Sequence, residues 1–428
     1  DYVYWSSPVE NFPLLSVSPG TSASLHFKWN PTIGGNFGNW QVANENMVRG
    51  KGYIIRAPNA YTNTPAPFST NFVGRLHNGF IPVDISRGNY TGGGYPSPTN
   101  PAITVTADDD NFNLIGNPYP SAISALDFLT DNTNIEGSVR LWTHGLDPSL
   151  LQNDPFYGNF AYNYDPNDYI VYNGTMTVSG PSGFAGYIAS GQSFFVLMND
   201  GPQTTEQVIF KNSLRNATYD NSQFFKSAPT KNTEQVASDL KIWLDIISPN
   251  GKAVRTALGY VENATNQKDR LFDASTKLDG TTKLYTLIDS KPFIIQGRTM
   301  PHTLDDQVDL GFFAAQPGMY TIAIGAIEPS NSAIPVYLED KVLGIIHNLK
   351  ESPYHFSTAL GVNDSRFVLR YTNETLSLDP VENNENEVKV FSPQSGQINV
   401  KSISEEIVNI QVFDILGREL LNQKGNNQ

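Results

Sequence analysis

The sequence contains no cysteine. That excludes a disulfide scaffold, a Cys-ligated zinc site, an iron–sulfur cluster and a thiol nucleophile. Charge is scarce as well. Asp, Glu, Lys and Arg make up 16% of residues, against about 25% in ordinary globular domains. The balance is acidic, with a net charge of −14 and no Lys/Arg stripe. Neutralising phosphates takes clustered cations, so nucleic acid is not an expected partner. No apolar run approaches the ~18 residues of a membrane-spanning helix, so no transmembrane segment is expected. Helix-favouring runs of Ala, Glu, Lys and Leu are few.

What fills the 428 residues instead is Gly (34), Pro (28), Tyr (20) and Phe (24), with abundant Asn, Ser and Thr. Aromatic and β-branched stretches cut by Gly, Pro and Asn turns predict an all-β protein. At about 100–200 residues per domain, the length predicts two to four domains. Asp1-Tyr-Val-Tyr-Trp5 opens on a strand-like segment, without the charged and apolar regions of a signal peptide. The chain therefore reads as a trimmed portion of something longer. Its last residues, Lys424-Gly-Asn-Asn-Gln428, stop in a turn sequence. An isolated strand pair is marginal in water, so the last module is expected to lack some strands.

Residues 1–225 carry a diverged internal repeat, with copies at about 1–93 and 102–225. Trp5-Ser-Ser-Pro8 corresponds to Ile115-Gly-Asn-Pro118, and Phe27-Lys-Trp29 to Arg140-Leu-Trp142. Gly50-Lys-Gly-Tyr-Ile-Ile55 corresponds to Gly191-Gln-Ser-Phe-Phe-Val196. The offset grows from 110 to 113 to 141 residues. The second copy thus holds an insertion between Trp142 and Gly191, in a Tyr/Asn/Gly-rich stretch. Two such units predict a pair of β-lobes. The Gly/Pro-dense stretch from Gly94 to Pro101 joins them and cannot sit inside a sheet. One short helix is predicted over Ser121 to Leu129, capped by Ser121, with Ile123, Leu126 and Leu129 on one face.

Lys226 to Val236 reads as a polar linker. Residues 237–373 alternate apolar with polar side chains, as in Leu240-Lys-Ile-Trp-Leu-Asp-Ile246. Further strand patterns cover Tyr285–Leu287, Phe293–Ile295, Tyr320–Ile324, Val336–Leu338 and Phe367–Tyr371. This regular spacing predicts a jelly-roll-like β-sandwich of two packed sheets. Residues 374–387 are Asn/Glu-rich and read as a solvated linker. The module 388–428 alternates again at Val388–Phe391, Gln397–Val400 and Ile407–Phe413. Gly417 supplies the φ > 0 of a hairpin turn. The expected architecture is therefore duplicated β-lobes, a β-sandwich and a small partial β-sandwich.

Motifs that carry chemistry are nearly absent. Six histidines (His26, His77, His144, His302, His347 and His355) stand at no i, i+3 or i+4 spacing that would hold a metal on a helix. No Gly-x-Ser-x-Gly elbow, phosphate-binding loop or dinucleotide fingerprint appears. The chain is expected to be non-enzymatic, with no catalytic or metal-ligating residue. The remaining enzymatic reading is a glycoside hydrolase, whose two facing carboxylates a sequence cannot display. No cofactor is expected. Asp108-Asp-Asp-Asn-Phe-Asn113 and Asp165-Pro-Asn-Asp168 offer oxygens to Ca²⁺, but lack the Gly and distal Glu of an EF-hand loop. Tyr157, Tyr162, Tyr164, Tyr169 and Tyr172 of the insertion are candidate carbohydrate-binding residues, because loop aromatics have no packing duty by default. Trp5, Trp29, Trp40, Trp142 and Trp243 lie on strand patterns and are assigned to cores. Six Asn-x-Ser/Thr sequons follow from an Asn-rich composition.

The stretch Ile407-Val-Asn-Ile-Gln-Val-Phe-Asp-Ile-Leu-Gly-Arg-Glu-Leu420 resembles the C-terminal sorting domains of type IX secretion cargo of Bacteroidota. It is similar to that family's hydrophobic strand followed by Phe/Tyr-Asp-x-x-Gly-Arg. The segments Leu338–Lys341, Pro353–Phe356 and Arg366–Tyr371 are similar to the β-sandwich that often precedes such signals. Trp5-Ser-Ser-Pro8 and Gly50-Lys-Gly-Tyr-Ile54 resemble segments of large flavobacterial surface proteins. The commonest signal class opens with Tyr-Pro-Asn-Pro, where this chain has Phe391-Ser-Pro-Gln394. That departure points to another class, such as type C.

The resemblance implies a secreted or cell-surface, adhesin-like cargo protein. It would be exported through the periplasm and across the outer membrane. It also implies two partners, the outer-membrane translocon barrel and a shuttle barrel, and leaves gliding, adhesion and polymer capture open as roles. Phe413, Asp414, Ile415, Leu416, Gly417, Arg418 and Glu419 are the candidate partner-binding residues. The alternative is a carbohydrate-binding surface protein, or the non-catalytic part of a polysaccharide-degrading enzyme, with a polysaccharide or surface glycan as partner.

Overall fold

The computed structural model describes residues 2–32, 38–61, 66–88, 95–96, 104–105, 111–143, 168–178, 184–222, 238–278 and 281–373. Towards the C-terminus it describes 388–391, 398–402, 407–414 and 417–424. The protein is nearly all β, and the chain divides into two compact units, Asp1–Asn373 and Glu374–Gln428.

The first unit opens with strands β1 (Tyr2–Trp5), β2 (His26–Asn30), β3 (Asn39–Val42) and β4 (Tyr53–Arg56), ordered β1-β4-β2-β3. Next come β5 (Ile81–Ser86) and the small pair β6 (Tyr95–Pro96) and β7 (Thr104–Val105). The Gly94–Pro101 stretch, expected to stay out of any sheet, thus does contribute a short strand to a two-stranded ladder, where proline is tolerated on an edge. Then follow β8 (Phe112–Gly116), β9 (Ile123–Ser124), helix α1 (Ala125–Asp131), β10 (Val139–Trp142), β11 (Tyr169–Tyr172) and β12 (Thr177–Val178). The lobe ends with β13 (Tyr187–Ile188), β14 (Ser193–Leu197) and β15 (Thr205–Phe210). The second sheet runs β8-β14-β10-β11-β12. Strand for strand this is the first order with β12 added.

The registers agree too. Trp5 lies opposite Tyr53, as Ile115 lies opposite Phe194. Phe27 lies opposite Ile54, as Arg140 lies opposite Phe195. The offsets that align the two sequences carry one register onto the other. The contacts between the sheets are reciprocal. Trp5 bridges Gln192 and Lys51 bridges Ile115. The Ser6 N–H donates to the Gly191 carbonyl (2.6 Å), and the Gly116 N–H donates to the Gly50 carbonyl (3.0 Å). Each pair maps onto the other when the copies are exchanged, which is the signature of a local two-fold axis.

Between the sheets lies an aromatic seam. Tyr2, Tyr4, Phe27, Trp29, Trp40 and Ile54 come from the first sheet. Phe112, Leu114, Trp142, Tyr169 and Phe195 come from the second. Tyr4 stacks on Trp142 at 6.0 Å, and Phe195 meets Trp29 edge to face at 5.4 Å. Such pairs add about 0.5–1.5 kcal/mol each beyond area burial. The strand period of two sends the alternate residues to the other side of each sheet. Trp5, Tyr53 and Ile55 join one core with Val9, Phe12 and Leu14. Ile115, Phe194 and Val196 join a larger core with Phe128, Leu129 and Phe210. The copies are not separate lobes, because β5 of the first pairs with β15 of the second.

The helix begins later than expected. Residues Ile123 and Ser124 are held extended against Ile188 and Tyr187. Ser124, not Ser121, caps α1 by accepting the Asp127 N–H at 3.1 Å.

Residues 238–371 form one hydrogen-bonded sheet rather than two. Its strands are β16 (Ser238–Ile247), β17 (Ala253–Val261), β18 (Ala274–Ser275), β19 (Lys283–Ile288), β20 (Lys291–Thr299) and β21 (Gln307–Ala314). They continue with β22 (Gly318–Glu328), β23 (Tyr337–Asp340), β24 (Ile345–Asn348), β25 (Tyr354–Thr358) and β26 (Gly361–Arg370). The order is β24-β23-β26-β21-β19-β20-β17-β16-β22-β25, with β18 on β20. The sheet curls round a core that includes Leu244, Tyr260, Phe312, Tyr320 and Phe367, giving a nearly closed, barrel-like sandwich.

This sandwich is welded to the second copy. Val171, Met176 and Val178 pack with Ala257, Ile294 and Ile295, and the Trp243 indole donates to the Thr177 carbonyl at 3.0 Å. From the loop before β18, Arg270 donates to the carbonyls of Leu129, Ile135 and Asn132, closing the C-terminal end of α1. In the same loop, Asp273 accepts the Gly297 N–H at 2.9 Å and the Asp269 N–H. Burial pushes its carboxyl up to about 7, against the pull of those two hydrogen bonds.

The sandwich also encloses an ion pair. Asp340 is fully buried and accepts Arg366 Nη2 at 2.7 Å and the Tyr354 hydroxyl at 2.8 Å. Arg366 lies over the rings of Phe356 and Phe367. Burial alone would raise the Asp340 carboxyl, but the Arg366 and Tyr354 hydrogen bonds and the guanidinium charge hold it below its ordinary value.

Two stability predictions follow from these contacts. A Cβ on Gly116 would collide with Ser6 Cβ and lie 2.6 Å from Ser193 Oγ. Gly116→Val is expected to cost about 1–3 kcal/mol by overpacking the junction of the two sheets, read as a lower urea midpoint. Asp340→Asn leaves a buried guanidinium unpaired and is expected to cost about 3–5 kcal/mol. Because the folded-state pKa of Asp340 is depressed, its contribution is present above the unfolded value of about 4 and lost as pH falls through the folded value. Urea titrations at pH 7 and below pH 4 check both the size and the sign, since the gap between wild type and variant should close in acid.

Candidate functional site

In the C-terminal unit, β27 (Val388–Phe391) pairs with β28 (Asn399–Ser402), and β29 (Asn409–Phe413) pairs with β30 (Glu419–Lys424). The second hairpin carries the candidate partner-binding residues. Its register sets Val412 opposite Leu421 and Phe413 opposite Glu419, with a bulge between the two pairs. That irregularity accommodates Leu420 as the extra residue.

The turn is built by its own polar groups. Gly417 has φ +78° and its N–H donates to the Asp414 carbonyl at 2.9 Å. This is the left-handed conformation expected of it from the sequence. The Asp414 N–H donates to the Arg418 carbonyl, and one Asp414 oxygen accepts the Arg418 N–H, each at 2.9 Å. The other oxygen accepts Arg418 Nε at 2.6 Å. Asp414 and Arg418 therefore brace the turn, while the Arg418 side chain keeps most of its surface in solvent. Gln411 donates weakly to Glu419 at 3.4 Å. Ile415 and Leu416 lie outside the described residues.

Apolar side chains around this turn stand in solvent. Phe413 is 52% exposed and Leu420 66%, and Val408, at the open end of the hairpin, is 75% exposed. Every residue of β30 is exposed. A two-stranded ribbon has no interior of its own. What it presents is exposed apolar side chains beside a turn whose flanking residues Asp414 and Arg418 form an ion pair.

The candidate carbohydrate-binding tyrosines are placed differently. Tyr157, Tyr162 and Tyr164 lie outside the described residues. Tyr169 and Tyr172 are not loop aromatics but residues of β11. Tyr172 is 4% exposed and packs in the core around Phe128. Tyr169 belongs to the aromatic seam, where its hydroxyl pairs with that of Tyr4 at 2.5 Å, and burial lifts its phenol above the ordinary value. The run of β-branched and aromatic residues Tyr169-Ile-Val-Tyr172 was the available signal, hidden by the Tyr-rich stretch before it. The indoles take core duty as expected. Trp142 is buried, while Trp5, Trp29, Trp40 and Trp243 are partly buried and packed against cores.

Of the Ca²⁺ candidates, Asp108–Asp110 and Asp165–Asn167 lie outside the described residues. Asn111 and Asn113 are buried and spend their amides on backbone carbonyls. The Asp168 carbonyl accepts both the N–H and the hydroxyl of Thr143. Among the described residues, no group of three His, Asp or Glu side chains is arranged to hold a metal ion. No helix among them is long and apolar enough to cross a membrane, which leaves membrane-crossing strands untouched.

Comparison with known proteins adds four findings. The minor fimbrium subunit Mfa5 of Porphyromonas gingivalis is 24% identical over 264 residues, covering 61% of this chain. The chain spans about a fifth of that relative, 21% of its length. No solved structure matches the chain. Residues 376–428, close to the limits of the second compact unit, match the family described as Domain of unknown function (DUF8694). The chain itself belongs to the family described as Domain of unknown function (DUF8693), whose model matches residues 1–371.

Proposed function

We propose that this chain is a non-enzymatic, adhesin-like protein of the bacterial cell surface whose C-terminal unit serves as an export signal. The observation that carries the signal reading is the second hairpin. Its turn is held by Gly417 and the Asp414–Arg418 pair, Phe413 and Leu420 lie uncovered beside it, and Val408 is exposed at the open end of the hairpin. A ribbon of this kind gains its missing apolar cover from a partner, and its outer strand offers backbone groups for β-augmentation. The partners in this reading are the translocon and shuttle barrels of the type IX route. Likeness to a fimbrial subunit supports the surface location. A packed β scaffold in which the described candidate tyrosines, Tyr169 and Tyr172, serve the seam and a core supports display over sugar binding on that strand.

The test is made in the native organism, with the full-length protein. Deletion of Val388–Gln428 should strand the protein in the periplasm, read by fractionation and surface protease accessibility. Gly417→Val forces a β-branched residue into a left-handed turn and should reduce surface delivery several-fold while leaving the melting of residues 1–373 unchanged. Normal surface delivery of the deletion would remove the export reading. Normal delivery of Gly417→Val alone would show that the turn plays no part in it.

A further inference from the structure

Because the two copies are equivalent strand for strand, each position in one names a position in the other. Trp29 faces Trp40 across β2 and β3, and Trp142 faces Tyr169 across β10 and β11. Phe27 faces Val42, and Arg140 faces Val171. Val42 and Val171 are therefore counterparts, yet their surroundings differ. Val171 is 8% exposed, pairs with Val178 of β12 and packs under the sandwich. Val42 is 59% exposed, and β3 is the outermost strand of its sheet.

The hydrogen-bond phase of β3 shows what that edge presents. The Ala43 N–H donates to the His26 carbonyl at 2.8 Å. In an antiparallel ladder the bonding direction alternates, so Gln41 faces β2, whereas Trp40 and Val42 turn their backbone groups outward. Thr143 donates to Asp168 in the same phase, which turns Tyr169 and Val171 outward in the second copy. There β12 takes up the Val171 groups. The Trp40 N–H is held by its neighbour, donating to Asn39 Oδ1 at 2.7 Å. Val42 thus turns its N–H and carbonyl to an edge on which no strand among the described residues lies.

Edge strands are ordinarily guarded by a charge, a proline or a bulge. Asn39-Trp40-Gln41-Val42 has none of these. The nearest acid along the chain, Glu45, is drawn inward by Lys28 Nζ (2.6 Å) and the Tyr53 hydroxyl (2.9 Å). An uncharged strand can meet its own copy without like-charge repulsion.

We propose that β3 is a self-pairing edge, on which a second copy of this chain adds antiparallel about a two-fold axis at Val42. That register makes Val42 and Val42 of the second copy a hydrogen-bonded pair, as Val171 and Val178 already are. It sets Gln41 opposite Ala43 and leaves the Trp40–Asn39 bond in place. The joined sheet would bury Val42 next to the aromatic seam, where its counterpart already lies covered. A contact of so few residues falls in the small, transient class of interfaces, so the dimer is a weak, concentration-dependent one.

Sedimentation velocity of the full chain over a wide concentration range tests this. Wild type should move from monomer to dimer as concentration rises. Val42→Lys brings two like charges together at the axis, and Val42→Pro removes the outward N–H without touching the β2–β3 ladder. Each should raise the dimer dissociation constant at least tenfold while the circular dichroism and urea midpoint stay at wild-type values. A wild type that remains monomeric throughout would overturn the proposal. So would dimers of wild-type strength in both variants, or a monomer that binds only a synthetic strand copying Thr175–Ser179.

Discussion

The aromatic seam between the two copies is the constraint on which the rest of residues 1–373 depends. It is made from like positions: Trp29 with Trp142, Trp40 with Tyr169, Ile54 with Phe195. Once these faces are matched, the alternation along each strand leaves no freedom in what the other faces do. Tyr53 and Phe194 must turn outward into two further cores, and both do. The close approach at Ser6, Gly116 and Ser193 is the steric consequence, since only a glycine fits at the middle position.

From that seam the structure grows asymmetrically. The second copy gains α1, β12 and a large core, and through β12 it carries the sandwich. Arg270 reaches across from the sandwich loop to the end of α1, so helix and loop order each other. The first copy keeps its equivalent edge uncovered at Val42. Duplication followed by unequal elaboration explains why one half of a symmetric pair is welded to a neighbour while the other presents a strand. Among the described residues, Tyr169 and Tyr172, which composition alone would allow for a sugar-binding face, are spent on the seam and a core.

Much of this was legible in the sequence, and the exceptions have physical reasons. The duplication could be read from Trp5, Trp29 and Gly50 and their counterparts because these positions fall at equivalent places in the two sheets' strands and turns. The turn at Gly417 could be read because only glycine enters that conformation cheaply. Helix α1 was placed four residues early because the β9–β13 ladder, a contact between distant segments, holds Ile123 and Ser124 extended. The single curled sheet of residues 238–371 passed for two sheets because alternation reports a buried face, not which strands share hydrogen bonds. Tyr169 and Tyr172 passed for loop aromatics because the Tyr-rich stretch before them disguised a four-residue strand. The counterpart relation between Val42 and Val171 needed the registers, since no sequence match links β3 to β11.

The functional account turns on whether the C-terminal hairpin meets an outer-membrane partner. A photo-crosslinking amino acid placed at Phe413 in the full-length protein, expressed in the native organism, reads this directly. The account predicts an adduct between this chain and an outer-membrane β-barrel protein, formed at Phe413 and not at the exposed Val73 of the first unit. Adducts from Phe413 confined to the chain itself, or equal capture of the barrel from both positions, would contradict it.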